Sequence, residues 1–170
     1  LAIYLSKKGK TDQDKARLIY AWIAKNISYD DVGFNTNNYG DLSPKGVMES
    51  RKGVCEGFSG LYKSIADSMG LEALKISGYA KGYGYQPNTR FKEVNHAWNA
   101  VKIDGKWRLL DVTWGEGFGE TVNGKLQSNK KFNSAWFDVD PYEFLLAHLP
   151  EKESFQFVSD PINKKEYEKI

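Results

Sequence analysis

Cys55 is the only cysteine in the 170-residue chain, His96 is one of two histidines, and Asp111 follows on the next predicted strand. A thiol, an imidazole and a carboxylate in that order are the parts of a nucleophilic acyl-transfer site. The thiolate attacks a carbonyl carbon, the imidazole takes and returns a proton, and the carboxylate holds the imidazole. Any chain of this length contains such residues. Their placement must therefore carry the argument.

Cys55 sits between Gly53 and Gly57, where a helix is predicted to run from Cys55 to Met69 with Gly70 as its stop. Phe58, Leu61, Tyr62, Ile65 and Met69 form the buried stripe of that helix, and Cys55 lies on the same side. The first position of a helix meets free N–H groups and the positive end of the macrodipole, which favours thiolate over thiol. The flanking glycines are expected to let a substrate backbone approach. Glu56 reads as a charge that stabilises the helix start.

The positions of His96 and Asp111 follow from a hairpin. Strands are predicted at 73–80, 94–103 and 106–113, and Asp104-Gly105 is a two-residue turn signal. If Ile103 faces Lys106, Trp98 lies opposite Asp111 and His96 opposite Thr113. All four then project from one face, with His96 and Asp111 diagonal neighbours about 7–8 Å apart at the backbone. A slip of one residue would separate them. In the mechanism so implied, the Cys55 backbone N–H is one oxyanion donor, and no residue stands out as the second.

Plainer readings weigh against this. A lone cysteine is usually a small buried hydrophobe, a lone strand histidine is usually hydrogen-bonded structure, and an aspartate near a strand end usually serves a turn. The helix-start position, the glycines and the hairpin register tip the balance toward chemistry.

Other elements frame these residues. Thr11 to Asp14 reads as a capped helix start, with Ala16, Ile19, Tyr20, Ile23 and Ile27 on its inner face and its end at 26–29. A polar loop over 30–43 and a helical turn at Val47-Met48 follow. The segment 78–84 reads as a flexible lip, and the long loop 115–132 as either a substrate flap or a lid over the thiol. His148 reads as a structural residue ending a helix, and 161–170 as a polar tail. Trp98, Trp114, Tyr79 and Gly53 are expected to line the substrate cleft.

Composition sets outer limits. With 41% hydrophobic and 27% charged residues the chain has the make-up of one globular domain. Twenty-four basic residues against 22 acidic ones, spread along the chain, argue against a nucleic-acid partner. No apolar run is long enough for a membrane span. One cysteine excludes an internal disulfide. The chain begins at Leu1, so a monomeric domain cut from a larger chain is expected, with a secreted or cell-surface parent as the working guess.

Several blocks together resemble the transglutaminase-like superfamily. They are Gly53-Val54-Cys55-Glu56-Gly57-Phe58, Met69-Gly70-Leu71, Ile76-Ser77-Gly78-Tyr79, Asn95-His96-Ala97-Trp98-Asn99 and the run from Gly105 to Trp114. Upstream, Tyr20-Ala21-Trp22-Ile23 is similar to the family's leading helix. Downstream, Trp136-Phe137-Asp138 and His148-Leu149-Pro150 are similar to the tail of the branch named for kyphoscoliosis peptidase. The resemblance spans roughly residues 15 to 157. It implies an α+β, papain-like fold, with the Cys helix packed on an antiparallel β-sheet bearing the His and Asp. It also implies Cys55 as nucleophile, His96 as base and acid, and Asp111 as the orienting carboxylate.

It does not imply a single reaction, because the fold hosts cross-linkers, peptidases, glycanases and non-catalytic modules. No acidic calcium loop and no cysteine pair for zinc is present, so no metal or other cofactor is expected. The expected partner is a protein or peptide amide. Hydrolysis is favoured over cross-linking because a short Gly-rich lip excludes water poorly. The alternatives are a cross-linking transglutaminase and a protein- or glycan-binding module that retains the three residues without using them.

Overall fold

The computed structural model describes residues 1–170. Two helices lead, α1 (Ala2–Lys8) and α2 (Asp12–Asn26). Helix α2 starts with the predicted capping box, in which Thr11 accepts from the Asp14 N–H and Asp14 answers to Thr11. Strand β1 (Ser28–Tyr29), helix α3 (Asp31–Thr36), helix α4 (Pro44–Ser50) and strand β2 (Lys52–Gly53) follow. Helix α3 lies where the sequence predicted only loop. Its start is fixed by Asp30, which accepts from the Gly33 N–H, and a six-residue helix leaves too short a pattern for periodicity to register.

Helix α5 (Cys55–Ser68) carries the thiol at its first residue. Strands β3 (Ala73–Ala80), β4 (His96–Ile103) and β5 (Lys106–Leu110) then form an antiparallel meander. Asp104 and Gly105 both take positive φ (50° and 75°), as the turn signal requires. The predicted register holds, from Ile103 opposite Lys106 to Asn99 opposite Leu110. The third strand ends three residues earlier than predicted. Asp111 leaves it to cap helix α6 (Val112–Glu116), its carboxylate accepting the Trp114 N–H at 3.0 Å. Strand β4 also starts late, because the Asn95 side chain substitutes for a strand neighbour by bonding both the N–H and the C=O of Ala80.

The long loop predicted after Asp111 is a hairpin of β6 (Gly117–Val122) and β7 (Lys125–Lys130). It is tied to α3: Asn35 exchanges two hydrogen bonds with the backbone of Leu126, and Asp31 accepts from the Ser128 N–H. Strand β8 (Phe137–Val139), helix α7 (Pro141–Leu145), strand β9 (His148–Pro150) and helix α8 (Lys164–Tyr167) complete the chain. The main sheet runs β8-β5-β4-β3-β9, antiparallel throughout.

One face of the sheet packs on α2 and α5, where Tyr20, Ile23, Phe58, Tyr62, Val101 and Leu110 are buried together. The buried Asn99 amide fixes the helix to the sheet by donating to the Ser59 carbonyl of α5 and the Leu74 carbonyl of β3. On the opposite face, Ile76, Trp98 and Leu109 of the sheet are buried together with Phe144 of α7. No helix is long and apolar enough to cross a membrane.

The segment 161–170 is not a tail. Tyr167 is fully buried with Phe91, Leu145 and Leu149, and its hydroxyl donates to the Tyr79 carbonyl at 3.2 Å. Its single ring among charged neighbours gave no periodicity to read. Tyr167→Ala is expected to cost about 3–5 kcal/mol of stability, the usual cost of emptying a large aromatic site. Urea unfolding measures this directly, and a loss under about 1 kcal/mol would show that α8 is dispensable.

Candidate active site

Cys55 is half-buried at the start of α5, and it shares with His96 the wall of a cleft of about 840 Å³. The short parallel ladder of β1 and β2 sets this corner: Tyr29 pairs with Gly53, and the Asp30 N–H donates to the Gly53 carbonyl. The chain then turns through Val54 into α5. The glycines beside the thiol do not border the cleft, contrary to expectation. Gly53 is buried and does not line the cleft. A Cβ on Gly57 would lie 2.8 Å from Val47 Cγ2, so Gly57 lets α4 and α5 come together. Glu56 is ion-paired with Lys75 of β3, which balances its charge next to the thiol.

His96 meets Asp111 through Nε2 and Oδ2 at 2.6 Å. Asp111 is fully buried and accepts three hydrogen bonds: Trp114 N–H on Oδ1, and His96 and the fully buried His148 (2.9 Å) on Oδ2. Burial alone would push the Asp111 carboxyl up; the His96 charge and the imidazole N–H bonds outweigh it and hold the carboxyl well below the usual range. Burial alone would likewise lower His96. The adjacent Asp111 charge and hydrogen bond, with smaller contributions from Cys55, push its pKa up to about 10.

Of the residues expected to line the cleft, Trp114 does so, and a Cβ on Gly82 of the lip would lie 2.9 Å from its ring. Trp98 does not. It is 1% exposed, on the same face of β4 as His96, and packs against His148 and Phe144 beneath the site. Tyr79 also lies elsewhere, with its ring against Phe91. These two were misplaced because strand alternation identifies a face but not where that face becomes covered.

Sequence reading missed Tyr29 and His148. Tyr29 lines the cleft; burial and the Cys55 charge raise its ionisation above the ordinary tyrosine value, so its hydroxyl keeps its proton. The sequence carries no local signal for it, because its place beside the thiol comes from the two-residue ladder that pairs it with Gly53. His148 begins β9 and does not end a helix. Pro150 two residues on fits an edge strand, which would have been the signal.

The donor atoms of His96, Asp111 and His148 lie within 4.8 Å of one another. That is the spacing of a metal site, but both imidazole Nε2 atoms aim at the same carboxylate oxygen at hydrogen-bonding distance. The carboxylate occupies the point at which a cation would have to sit. The arrangement is a proton-holding unit.

The sequence model of the transglutaminase-like superfamily matches residues 1–112. Human kyphoscoliosis peptidase is 31% identical over 165 residues, covering 96% of this chain and 25% of that protein. Drosophila melanogaster hillarin is 32% identical over 171 residues, covering 94% of this chain and 20% of that protein. The chain thus spans a quarter or less of the length of these curated relatives. Among solved structures, Mycobacterium marinum arylamine N-acetyltransferase superposes with a TM-score of 0.52 over 91% of this chain and 62% of its own, at 14% identity, a likeness of fold alone. A Cys-bearing helix packed on an antiparallel sheet, and a family match running from the first residue through Asp111, place the chain in the transglutaminase-like superfamily.

Proposed function

We propose that this chain is a single cysteine-dependent acyl-transfer domain of a longer protein, acting on amides of proteins or peptides, with water as the preferred acceptor. The observation that carries the reading is a half-buried thiol at a helix start, sharing an open cleft with an imidazole that a buried carboxylate holds. Cys55 Sγ bonds to the carbonyl carbon, and the tetrahedral oxyanion is received by the Cys55 backbone N–H and the Tyr29 hydroxyl. His96 then passes its proton to the leaving nitrogen as the C–N bond breaks. Water, deprotonated by His96, adds to the thioester, and collapse of that adduct releases the acid and restores the thiol.

Two further observations support the choice of substrate and acceptor. Phe34, Tyr39, Tyr83, Phe118 and Phe132 line the cleft with exposed rings, which suits a polypeptide carrying an apolar side chain near the amide. The β6–β7 hairpin forms one wall of the cleft and leaves the thiol reachable, which favours an enzyme over a module with a sealed cysteine and leaves water a path to the thioester. Iodoacetamide alkylation from pH 4 to 10 should show a reactive thiol at neutral pH. With a glutamine-bearing protein and a labelled amine, product should pass mainly to water. Faster amine incorporation would replace hydrolysis with cross-linking. A thiol inert across the range would leave the binding-module reading in its place.

A further inference from the structure

We propose that His148 is a positioning residue for this reaction: a permanently neutral Nε2–H donor that fixes the Asp111 carboxylate and thereby sets how tightly His96 holds its proton. The inference rests on the acyl-transfer reading above. His148 approaches the same oxygen that His96 uses, at 2.9 Å against 2.6 Å. Oδ2 is therefore an acceptor shared by two imidazoles, both of which must present Nε2–H to it.

The surroundings decide which of the two can be charged. His148 is fully buried, with its ring stacked on Phe144 at 4.0 Å and enclosed by Trp114, Trp98 and Trp136. The titratable groups facing it are Asp111 and His96 alone, and the remaining walls are aromatic. Its Nδ1 is buried without a well-formed hydrogen bond; the Phe144 carbonyl favours a proton there, but burial, with the His96 charge, outweighs it and holds the ring's proton affinity down. The ring donates through Nε2 to the Asp111 oxygen, so a neutral His148 making this bond carries its one proton there and leaves Nδ1 without one. A second cation beside His96, with ring centroids 5.6 Å apart in a dry aromatic pocket, would also be repelled. His96 reaches the cleft and carries the charge; His148 cannot.

The consequence is a graded carboxylate. With one Oδ2 lone pair engaged by His148, Asp111 draws on the His96 proton less strongly than a carboxylate devoted to it would. The imidazolium is then acidic enough to deliver its proton to a leaving amine. Without His148, Asp111 loses a donor and grips His96 harder.

The test uses the 15N-labelled 170-residue chain, with long-range 1H–15N NMR of the two histidines alongside iodoacetamide alkylation of the sole thiol. In the unsubstituted protein His148 should remain the neutral Nε2–H tautomer from pH 5 to 9. His148→Phe keeps an aromatic ring on Phe144 and should move the His96 titration upward by about half a unit, a roughly threefold change in its proton affinity. His148→Gln restores an amide N–H near the Nε2 position and should return the titration toward the original value. A charged His148 in that range, or a His96 titration that His148→Phe leaves unmoved while Asp111→Asn shifts it, overturns the proposal. Failure of the acyl-transfer reading has a separate signature, a thiol whose alkylation ignores His96→Ala.

Discussion

Replacing His96 with alanine is expected to lower peptide-amide turnover on the order of 10⁴-fold or more, the scale on which loss of one member of a nucleophile–base–carboxylate unit acts. Alkylation of Cys55 by iodoacetamide at neutral pH should fall by a smaller factor, roughly tenfold, the equivalent of about 1.4 kcal/mol of ion-pair stabilisation. The two factors differ because alkylation asks only for a thiolate, whereas turnover also needs a proton delivered to the leaving nitrogen. The motivating geometry is an imidazole 9% exposed at its side chain, lining the same cleft as the thiol and bonded to Asp111. Equal turnover by His96→Ala and the unsubstituted chain would remove His96 from the mechanism.

Replacing Asp111 should damage the fold as well as the chemistry. Asp111→Ala leaves the N–H groups of His96, His148 and Trp114 without their acceptor in a site that water does not reach. Removing one partner of a buried pair costs about 3–5 kcal/mol, which lowers the melting temperature by about 10 °C in a chain of this size. The pH dependence is equally specific. Folded His96 keeps its proton up to about pH 10, whereas an unfolded imidazole releases it near 6.5. That contribution is full below about pH 6.5 and disappears as the pH climbs toward the folded value.

The acid side runs the other way. The Asp111 carboxyl is held low, so its contribution is present above about pH 4 and is lost on acidification. Burial lowers His148, so protonating the unfolded chain below about pH 6.5 also favours unfolding. The melting temperature should therefore peak near neutrality, and Asp111→Ala should flatten its alkaline limb. A variant that melts within about 2 °C of the parent, with an unchanged alkaline limb, would show that the buried network contributes little.

The contrast between Cys55 and Asp111 shows where sequence reasoning succeeds. Helix starts and two-residue turns are local, so Thr11, Cys55 and Asp104-Gly105 could be placed from their immediate neighbours, and the hairpin register followed from the turn. Asp111 was brought to His96 by the right register for an incomplete reason. The residue has left the strand and serves as a helix cap, which turns its carboxylate toward both imidazoles. His148 could not be foreseen as a partner, because its contact with Asp111 spans 37 residues and depends on β9 joining the far edge of the sheet. Trp98 failed for a related reason: α7 arrives from later in the chain and its Phe144 covers the ring.

The hairpin over the cleft has an architectural consequence. Its second strand is laced to α3 by the side chains of Asn35 and Asp31 at Leu126 and Ser128, while its tip, Asn123-Gly124, turns in open solvent with both residues at positive φ. Extra residues inserted between Asn123 and Gly124 would extend one wall of the cleft while leaving the laced strand and the buried carboxylate in place. The height of the cleft wall and the buried carboxylate network are thus separately tunable, so lineages built on this scaffold can reshape the cleft's rim while leaving its buried floor untouched.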